Sequence, residues 1–249
     1  MFQYSEQADS HKEPNDLIPS DQWGSDVIVD GNLIKERCSD IKNKIVPYKP
    51  RIIAVTKYYG LNAVINGYEA GLRDFGESRA LDAVQKIESL PSEVRKESTF
   101  HFIGHLQTNK AEKVVEYFDY IHSVDSLKVA KAIDKAACRL NKREKVLLQV
   151  NNACEEQKFG YEERQLKEEF LQILDLDSLE VVGLMNMAPL GAGSETLHRV
   201  FGGLRRLRDE LSAEFNVELP ELSMGMSDDY EIAAQEGATM IRIGRKLFK

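Results

Sequence analysis

The residue with the clearest chemical potential in this chain is Lys57, which closes the stretch Arg51-Ile-Ile-Ala-Val-Thr-Lys57. Ile52 to Val55 form a short apolar run rich in β-branched side chains, the pattern of a strand buried on both faces. A lysine at the carboxyl end of such a strand has its stem in the core and its ammonium at the rim. Burial there favours the neutral amine, the nucleophile that forms a Schiff base with an aldehyde. A lysine that only snorkels from a strand edge fits the same residues. Two further groups suit a phosphate. Ser223-Met224-Gly225-Met226-Ser227 offers hydroxyls, a glycine that permits close backbone approach, and a helix start at Ser227-Asp228-Asp229. Gly244-Arg245 adds a second turn with a guanidinium. Free backbone N–H groups at helix starts bind anions without a positive side chain. Taken singly, Ser227 needs only to cap its helix and Gly244 only to turn the chain.

Composition sets the classes to which these groups can belong. The chain has 249 residues, 42% of them hydrophobic, and a net charge of −8 from 33 Lys+Arg against 41 Asp+Glu. That length suits a single α/β barrel of about 250 residues. No long basic block stands out, which argues against nucleic acid and anionic membranes as partners. No run approaches the roughly 18 apolar residues of a membrane span. The first residues lack the basic-then-apolar order of a signal peptide. Cys38, Cys138 and Cys154 are odd in number and widely spaced, as reduced thiols are, which argues against disulfides and zinc. The expectation is a soluble cytoplasmic protein.

The elements that must position these groups follow from periodicity. Residues 1–25 are polar, carry two prolines and show no helical period, so a flexible tail is expected, with His11 solvated in it. Ser25 or Asp26 is placed to cap a helix running to about Val46, with Val27, Leu33, Ile34, Ile41 and Ile45 on its apolar side. Pro47 and Pro50 end it. Strands are predicted at 51–56, 72–75, 99–103, 119–124, 145–150, 180–185, 219–223 and 239–243. Helical patterns lie between them at 61–70, 78–89, 107–117, 126–141, 161–174, 195–215 and 227–236. Such alternation means a parallel sheet with right-handed crossovers. Eight units close naturally into a (β/α)8 TIM barrel over 26–249, with the opening helix outside it. An open doubly wound sheet is the alternative, but no GxGxxG follows the first strand. The barrel is expected to be the whole protein, since the last strand ends at Ile243 and the sequence at Lys249.

In a barrel, function gathers at the carboxyl ends of the strands, and phosphate commonly sits after strands seven and eight. Lys57 would follow strand one, the Ser223–Ser227 turn strand seven, and Gly244-Arg245 strand eight. A ligand bridging them carries an aldehyde and a phosphate, which points to pyridoxal phosphate. Alternation in the last strand puts Met240 and Arg242 on one face, so an inward Arg242 could meet the pyridine nitrogen. Arginine stays protonated, donates to that nitrogen and disfavours its protonation. An unprotonated ring is a weak electron sink, which suits a carrier or a racemase better than a transaminase.

Six stretches then carry a family resemblance: IIAVTK (52–57), DFGES (74–78), FHFIGHLQTNK (100–110), IHSVDS (121–126), GLMNMAP (183–189) and LSMGMSDDYEIAAQEGATMIRIGRKLF (222–248). In this order they resemble the YggS/PROSC family of pyridoxal-phosphate homeostasis proteins, from about residue 26 to the end. The resemblance implies a single barrel of the alanine-racemase N-terminal-domain type that holds the cofactor, stores and delivers it, and has no established catalytic turnover. It implies Lys57 as the internal-aldimine lysine and Arg242 as the pyridine-nitrogen partner. Ser223, Gly244 and Arg245 look like phosphate ligands, largely through backbone N–H groups, beside the close-approach glycine Gly225. Ser78 and His105 complete the expected cofactor-binding set. Ser78 stands where the family usually has asparagine, so a ring contact would fall to a shorter hydroxyl. His105 would either orient a ring or cap the helix at Thr108. Arg245 stands where threonine is common, and Asn186 replaces a more usual threonine. Cofactor-dependent apo-enzymes are the expected recipients, and a monomer the expected state.

Two enzymatic readings compete. An amino-acid racemase or decarboxylase would use the same cofactor, but alanine racemases resembling this barrel carry a second, β-rich domain that supplies a catalytic tyrosine. Tyr58, Tyr59 and Tyr161 remain as candidate acids, with Tyr58 and Tyr59 expected to pack at the barrel rim. A Schiff-base phosphosugar aldolase would use Lys57 directly and need a nearby acid such as Glu77 or Asp125.

Overall fold

The computed structural model describes residues 30–153 and 159–249. The expected tail 1–25, the caps Ser25 and Asp26, Val27 and Cys154 lie outside them. Within them the first helix, α1 (Gly31–Lys44), is capped by Asp30, whose carboxylate accepts from Asn32 N–H at 2.8 Å. Ile34, Cys38, Ile41 and the following Ile45 are buried, whereas Leu33 is 40% exposed, against expectation. The buried four recur at intervals of four, three and four residues. Leu33, one residue before Ile34, is turned about 100° off that stripe.

From there the strands and helices alternate. The order is β1 (Arg51–Val55), α2 (Leu61–Glu69), β2 (Asp74–Glu77), α3 (Ala80–Glu88), α4 (Ser92–Glu97), β3 (Thr99–Phe102) and, after a 3-10 turn at Thr108–Lys110, α5 (Ala111–Tyr117). Then come β4 (Tyr120–Val124), α6 (Leu127–Arg139), β5 (Glu144–Gln149), α7 (Glu163–Leu174), β6 (Leu179–Met185) and α8 (Ser194–Phe215). The chain finishes with β7 (Glu221–Ser223), α9 (Tyr230–Gln235), β8 (Met240–Ile243) and α10 (Arg245–Phe248). Every strand pairs in parallel with its neighbour in sequence, and β8 pairs with β1 from Arg51↔Met240 to Ala54↔Ile243. The sheet is a closed eight-stranded barrel, as predicted. Two short helices were not anticipated, α4 and α10, and β2 begins two residues later than its predicted start. Elements of four to six residues carry too little periodicity to read from sequence. The register of β2 comes from its partner, with Asp74 opposite Thr99.

The outer layer between strands and helices is the main apolar core, built on residues such as Phe75, Phe102, Ile121, Leu148, Phe170 and Phe201, all nearly inaccessible. Full burial of each such side chain is worth about 1.5–3 kcal/mol. The barrel interior is different. Leu147, Val182 and Met185 form a separate small apolar cluster there. Beside it lie buried polar side chains, among them His101, His122, Ser223 and Arg242. At the amino-terminal end, Arg51 reaches Glu221 of β7 at 2.5 Å and Asp74 of β2 at 3.6 Å, and Thr239 Oγ1 donates to the other Glu221 oxygen at 2.5 Å. At the carboxyl end, the buried Glu77 ties β2 to β1. Its Oε1 accepts from Thr56 Oγ1 at 2.7 Å and from Lys86 Nζ at 2.6 Å, and Lys86 Nζ also donates to the Thr56 carbonyl at 2.9 Å.

Two predictions follow from these buried groups. Lys86→Ala leaves the Glu77 carboxylate buried without its ammonium partner, and denaturant melts should show a loss of about 3–5 kcal/mol. An equal stability for variant and parent would mean that the pair does not hold this end of the barrel. The second concerns pH. Burial pushes both His101 and His122 below the ordinary histidine value of 6.5. The unfolded chain therefore takes up protons near pH 6.5 that the folded barrel refuses, so this share of the stability is lost as pH falls below about 6.5. Glu144 acts in the opposite sense: burial raises its carboxyl to about 7, so its ionisation destabilises the fold as pH rises. Glu144→Gln should accordingly gain more stability over the parent at pH 8 than at pH 5. His122→Asn should lose less stability than the parent between pH 7.5 and 5.5, and an identical slope would exclude a neutral buried His122.

Candidate functional site

The carboxyl ends of the strands surround a cavity of about 610 Å³. Residues 57–59 line it from behind β1, Ile103 from behind β3, residues 187–192 from behind β6, residues 226–229 from behind β7, and Arg242, Gly244 and Arg245 from β8 and its end. β1 stops at Val55, so Lys57 lies two residues beyond the strand, in a turn, and is half-buried. Its Nζ stands 4.9 Å from the centre of the Tyr58 ring. Tyr58 is 51% exposed at the rim, and Tyr59 packs on Phe248 with ring centres 5.0 Å apart, so both tyrosines sit where rim packing was expected. Thr56, bonded to Glu77, holds the turn from below.

Arg242 faces Lys57's cavity from the barrel interior. Its Nη1 donates to the Ser223 carbonyl at 2.7 Å and to Ser223 Oγ at 2.8 Å, and its Nη2 donates to the Asn186 carbonyl at 2.8 Å. These acceptors are all neutral. Burial pulls the guanidinium down to about 10, only partly offset by the nearby Asp229 carboxylate, so it stays charged at neutral pH. A guanidinium has five N–H groups. Two of them, Nε–H and one Nη2–H, have no acceptor among the described residues. The residue thus keeps donors uncommitted at a wall of the cavity.

The turn after β7 explains the predicted phosphate motif more fully. Gly225 has φ of +91°, and a β-carbon there would stand 2.5 Å from the Ala233 β-carbon. Only glycine makes this turn, and it lets Arg242 N–H bond the Gly225 carbonyl at 2.9 Å. Met226 N–H is satisfied by Asp229 Oδ1 at 2.5 Å. The N–H groups of Ser227 and Asp228 have no acceptor among the described residues, and those of Arg245 and Lys246 open the adjacent turn in the same way. The Arg245 guanidinium is exposed and pairs with Asp228 at 2.5 Å. It ties the two turns together from outside; the charge expected from it at the phosphate is turned toward a carboxylate.

Of the eight residues predicted to bind the cofactor, Lys57, Arg242, Gly244 and Arg245 line the cavity, whereas Ser78, His105, Ser223 and Gly225 do not. Ser223 is wholly buried and its hydroxyl is shared between Arg242 and His122, so it supports the arginine from beneath. Ser78 crosses Gly104 so closely that a β-carbon there would stand 2.1 Å from its carbonyl oxygen. His105 is exposed, bonds Asp125 at 3.1 Å and stacks on Phe159 at 3.9 Å. It does not cap the turn at Thr108, which Gln107 precedes without a side-chain bond. Asn186, noted in the sequence as a departure from threonine, contributes its carbonyl to Arg242 and its amide to Asn152 at 3.0 Å. His101 and His122, which link to Ser223, had no signal in the sequence beyond their strand positions. Among the described residues no group of three or more His, Cys, Asp or Glu is placed to hold a metal ion.

Comparison with known proteins places the chain in a family. The family described as alanine racemase, N-terminal domain, matches residues 29–249. A pyridoxal phosphate homeostasis protein from Synechocystis sp. is 43% identical over 203 residues, covering 82% of this chain and 92% of that protein. Its counterpart in Aquifex aeolicus is 40% identical over 198 residues, covering 80% and 86%. The structure of PipY from Synechococcus elongatus, with pyridoxal phosphate bound, matches with a TM-score of 0.79 at 38% identity, over 87% of this chain and all of that one. Alanine racemase from Clostridium difficile matches with a TM-score of 0.72 at 12% identity, a likeness of fold alone. With its barrel, cavity and motifs, the chain belongs to the family of pyridoxal phosphate homeostasis proteins.

Proposed function

We propose that this chain binds pyridoxal 5'-phosphate at the barrel mouth, attached through Lys57, and stores and delivers it without turning over a substrate. The observation that carries this reading is that one cavity brings together the Lys57 amine, a buried Arg242 with unused donors, and two turns with open N–H groups. When bound, pyridoxal phosphate supplies an aldehyde that a lysine amine captures reversibly. The N–H groups of Ser227, Asp228, Arg245 and Lys246 hold the phosphate. Arg242 donates to the ring nitrogen and, as a fixed cation, disfavours a proton there. Gly244 and Gly225 shape the two turns. Tyr58 shields one side of Lys57.

The two carboxylates named for a Schiff-base aldolase are committed elsewhere. Glu77 is bonded by Thr56 and Lys86, and Asp125 by His105 and Ser126, which weakens the aldolase reading. Tyr161 is buried in the core and does not line the cavity, which removes one candidate acid of a racemase. The mouth leaves Lys57 half-exposed, so an incoming amine reaches it from solvent and competes for the aldehyde carbon. Release to cofactor-dependent apo-enzymes follows from that access. We infer a monomer acting in the cytoplasm; among the described residues no helix is long and apolar enough to cross a membrane.

The full chain incubated with pyridoxal phosphate should show a visible band that borohydride bleaches, with the reduced adduct mapped to Lys57. Lys57→Ala should give neither band nor adduct. A parent protein that stays colourless would overturn the reading and bring the phosphosugar aldolase forward. Arg245→Ala should weaken cofactor binding by less than about fivefold, because an exposed pair such as Arg245–Asp228 is worth at most about 1 kcal/mol. A larger loss would mean that the guanidinium leaves Asp228 for the phosphate.

A further inference from the structure

A line of buried polar side chains runs through the barrel from Arg242 to the opposite end. Arg242 Nη1 lies 2.8 Å from Ser223 Oγ, and Ser223 Oγ lies 2.8 Å from His122 Nδ1. His122 Nε2 is 3.0 Å from His101 Nδ1, and His101 Nε2 is 3.0 Å from Asp74 Oδ1. Ser223, His122 and His101 are fully inaccessible. The chain thus crosses from β8 through β7, β4 and β3 to β2, ending at the carboxylate that also meets Arg51.

The positions of the protons follow by elimination. A carboxylate only accepts, so His101 Nε2 carries a hydrogen toward Asp74. A neutral His101 then accepts at Nδ1, which places the hydrogen of His122 on its Nε2. His122 Nδ1 is left to accept from the Ser223 hydroxyl, and the Ser223 oxygen to accept from Arg242. Every donor points the same way, from the guanidinium at the mouth to the carboxylate at the base. Neutral rings are required, and burial favours them at both histidines, against the smaller opposing pull of Asp74 on His101. Reversing any one bond would set two donors, or two acceptors, face to face in a site without room to solvate them.

We propose that His122 and His101 are positioning residues for the cofactor ring: the one-directional chain from Asp74 fixes the Arg242 guanidinium as a donor toward the cavity. This rests on pyridoxal phosphate placing its ring nitrogen at Arg242. Neither histidine touches the cavity, and His101 touches neither Ser223 nor Arg242. An effect of His101 on the cofactor therefore has to travel along the chain.

The test uses the full chain labelled with 15N in its histidines, with and without pyridoxal phosphate. Both buried rings should be neutral with the hydrogen on Nε2, and both should shift when the cofactor is added. The surface His198, bonded to Glu236, should not. In absorption titrations, His122→Leu should retain the borohydride-sensitive band but move its maximum and weaken binding by up to about tenfold, the worth of one hydrogen bond between neutral groups. His101→Leu should act in the same direction and less strongly. His122→Asn, whose side-chain oxygen can still accept from Ser223, should recover most of the affinity. Rings carrying the hydrogen on Nδ1, or rings unmoved by the cofactor, would overturn the proposal; so would folded leucine variants with the parent's band and affinity. Should the leucine variants not fold, the ring spectra of the parent decide. Absence of the band in the parent would instead overturn the cofactor reading.

Discussion

The structure depends on keeping one positive charge, Arg242, inside a closed barrel with no carboxylate among the described residues bonded to it. Burial of an unpaired ion is among the costliest things a fold can do, and removal of water from a guanidinium is offset only by close, well-directed acceptors. Here the acceptors are two main-chain carbonyls, of Ser223 and Asn186, and one hydroxyl. Each comes from a strand end that the barrel closure brings to the same depth. The arginine therefore reports on the integrity of β6, β7 and β8 together. A carboxylate partner would hold it more tightly but would consume the donors that face the cavity.

The two ends of the barrel solve different electrostatic problems. At the amino-terminal end, Arg51, Asp74, Glu221 and Thr239 satisfy one another, and the Tyr120 ring stacks on the imidazole of His101 and lies near the Arg51 guanidinium. At the carboxyl end the charged groups are split. Glu77 and Lys86 form a closed internal pair that does structural work under the Lys57 turn. Lys57, Arg242 and the N–H groups of two turns are left available. Separation of committed from uncommitted polar groups is what marks the mouth as the functional end, in keeping with the polarity of barrels in general.

In the proposed reading, the two turns would hold a phosphate with little side-chain chemistry. Their donors are backbone N–H groups, those of Ser227 and Asp228 in the turn that leads into α9 and those of Arg245 and Lys246 at the start of α10. Arg245 is compatible with that reading, because its side chain points to Asp228 while its N–H stays in the turn. Gly225 contributes geometry alone, through a positive φ and a contact with Ala233 too close for any side chain.

Alternation of eight apolar runs with helical patterns was enough to establish the barrel, because closure of a parallel sheet is a consequence of repeated right-handed crossovers. That Lys57, Arg242, Gly244 and Arg245 line the cavity was likewise legible, since strand-end position and residue type locate them without any contact information. Ser78, His105 and Ser223 were read as ligands because they share those strand ends, but which side of a strand end faces the cavity is set by loop crossings such as Ser78 over Gly104. Leu33 and the two-residue shift of β2 were decided by packing phase and partner register. The chain from Asp74 to Arg242 was beyond the sequence altogether. Its members lie on five different strands, up to 168 positions apart in the sequence, and only barrel closure sets them at hydrogen-bond distance. Sequence determines which groups are present and at which end of which strand; the tertiary fold decides which of them remain unpaired, and unpaired groups are what bind.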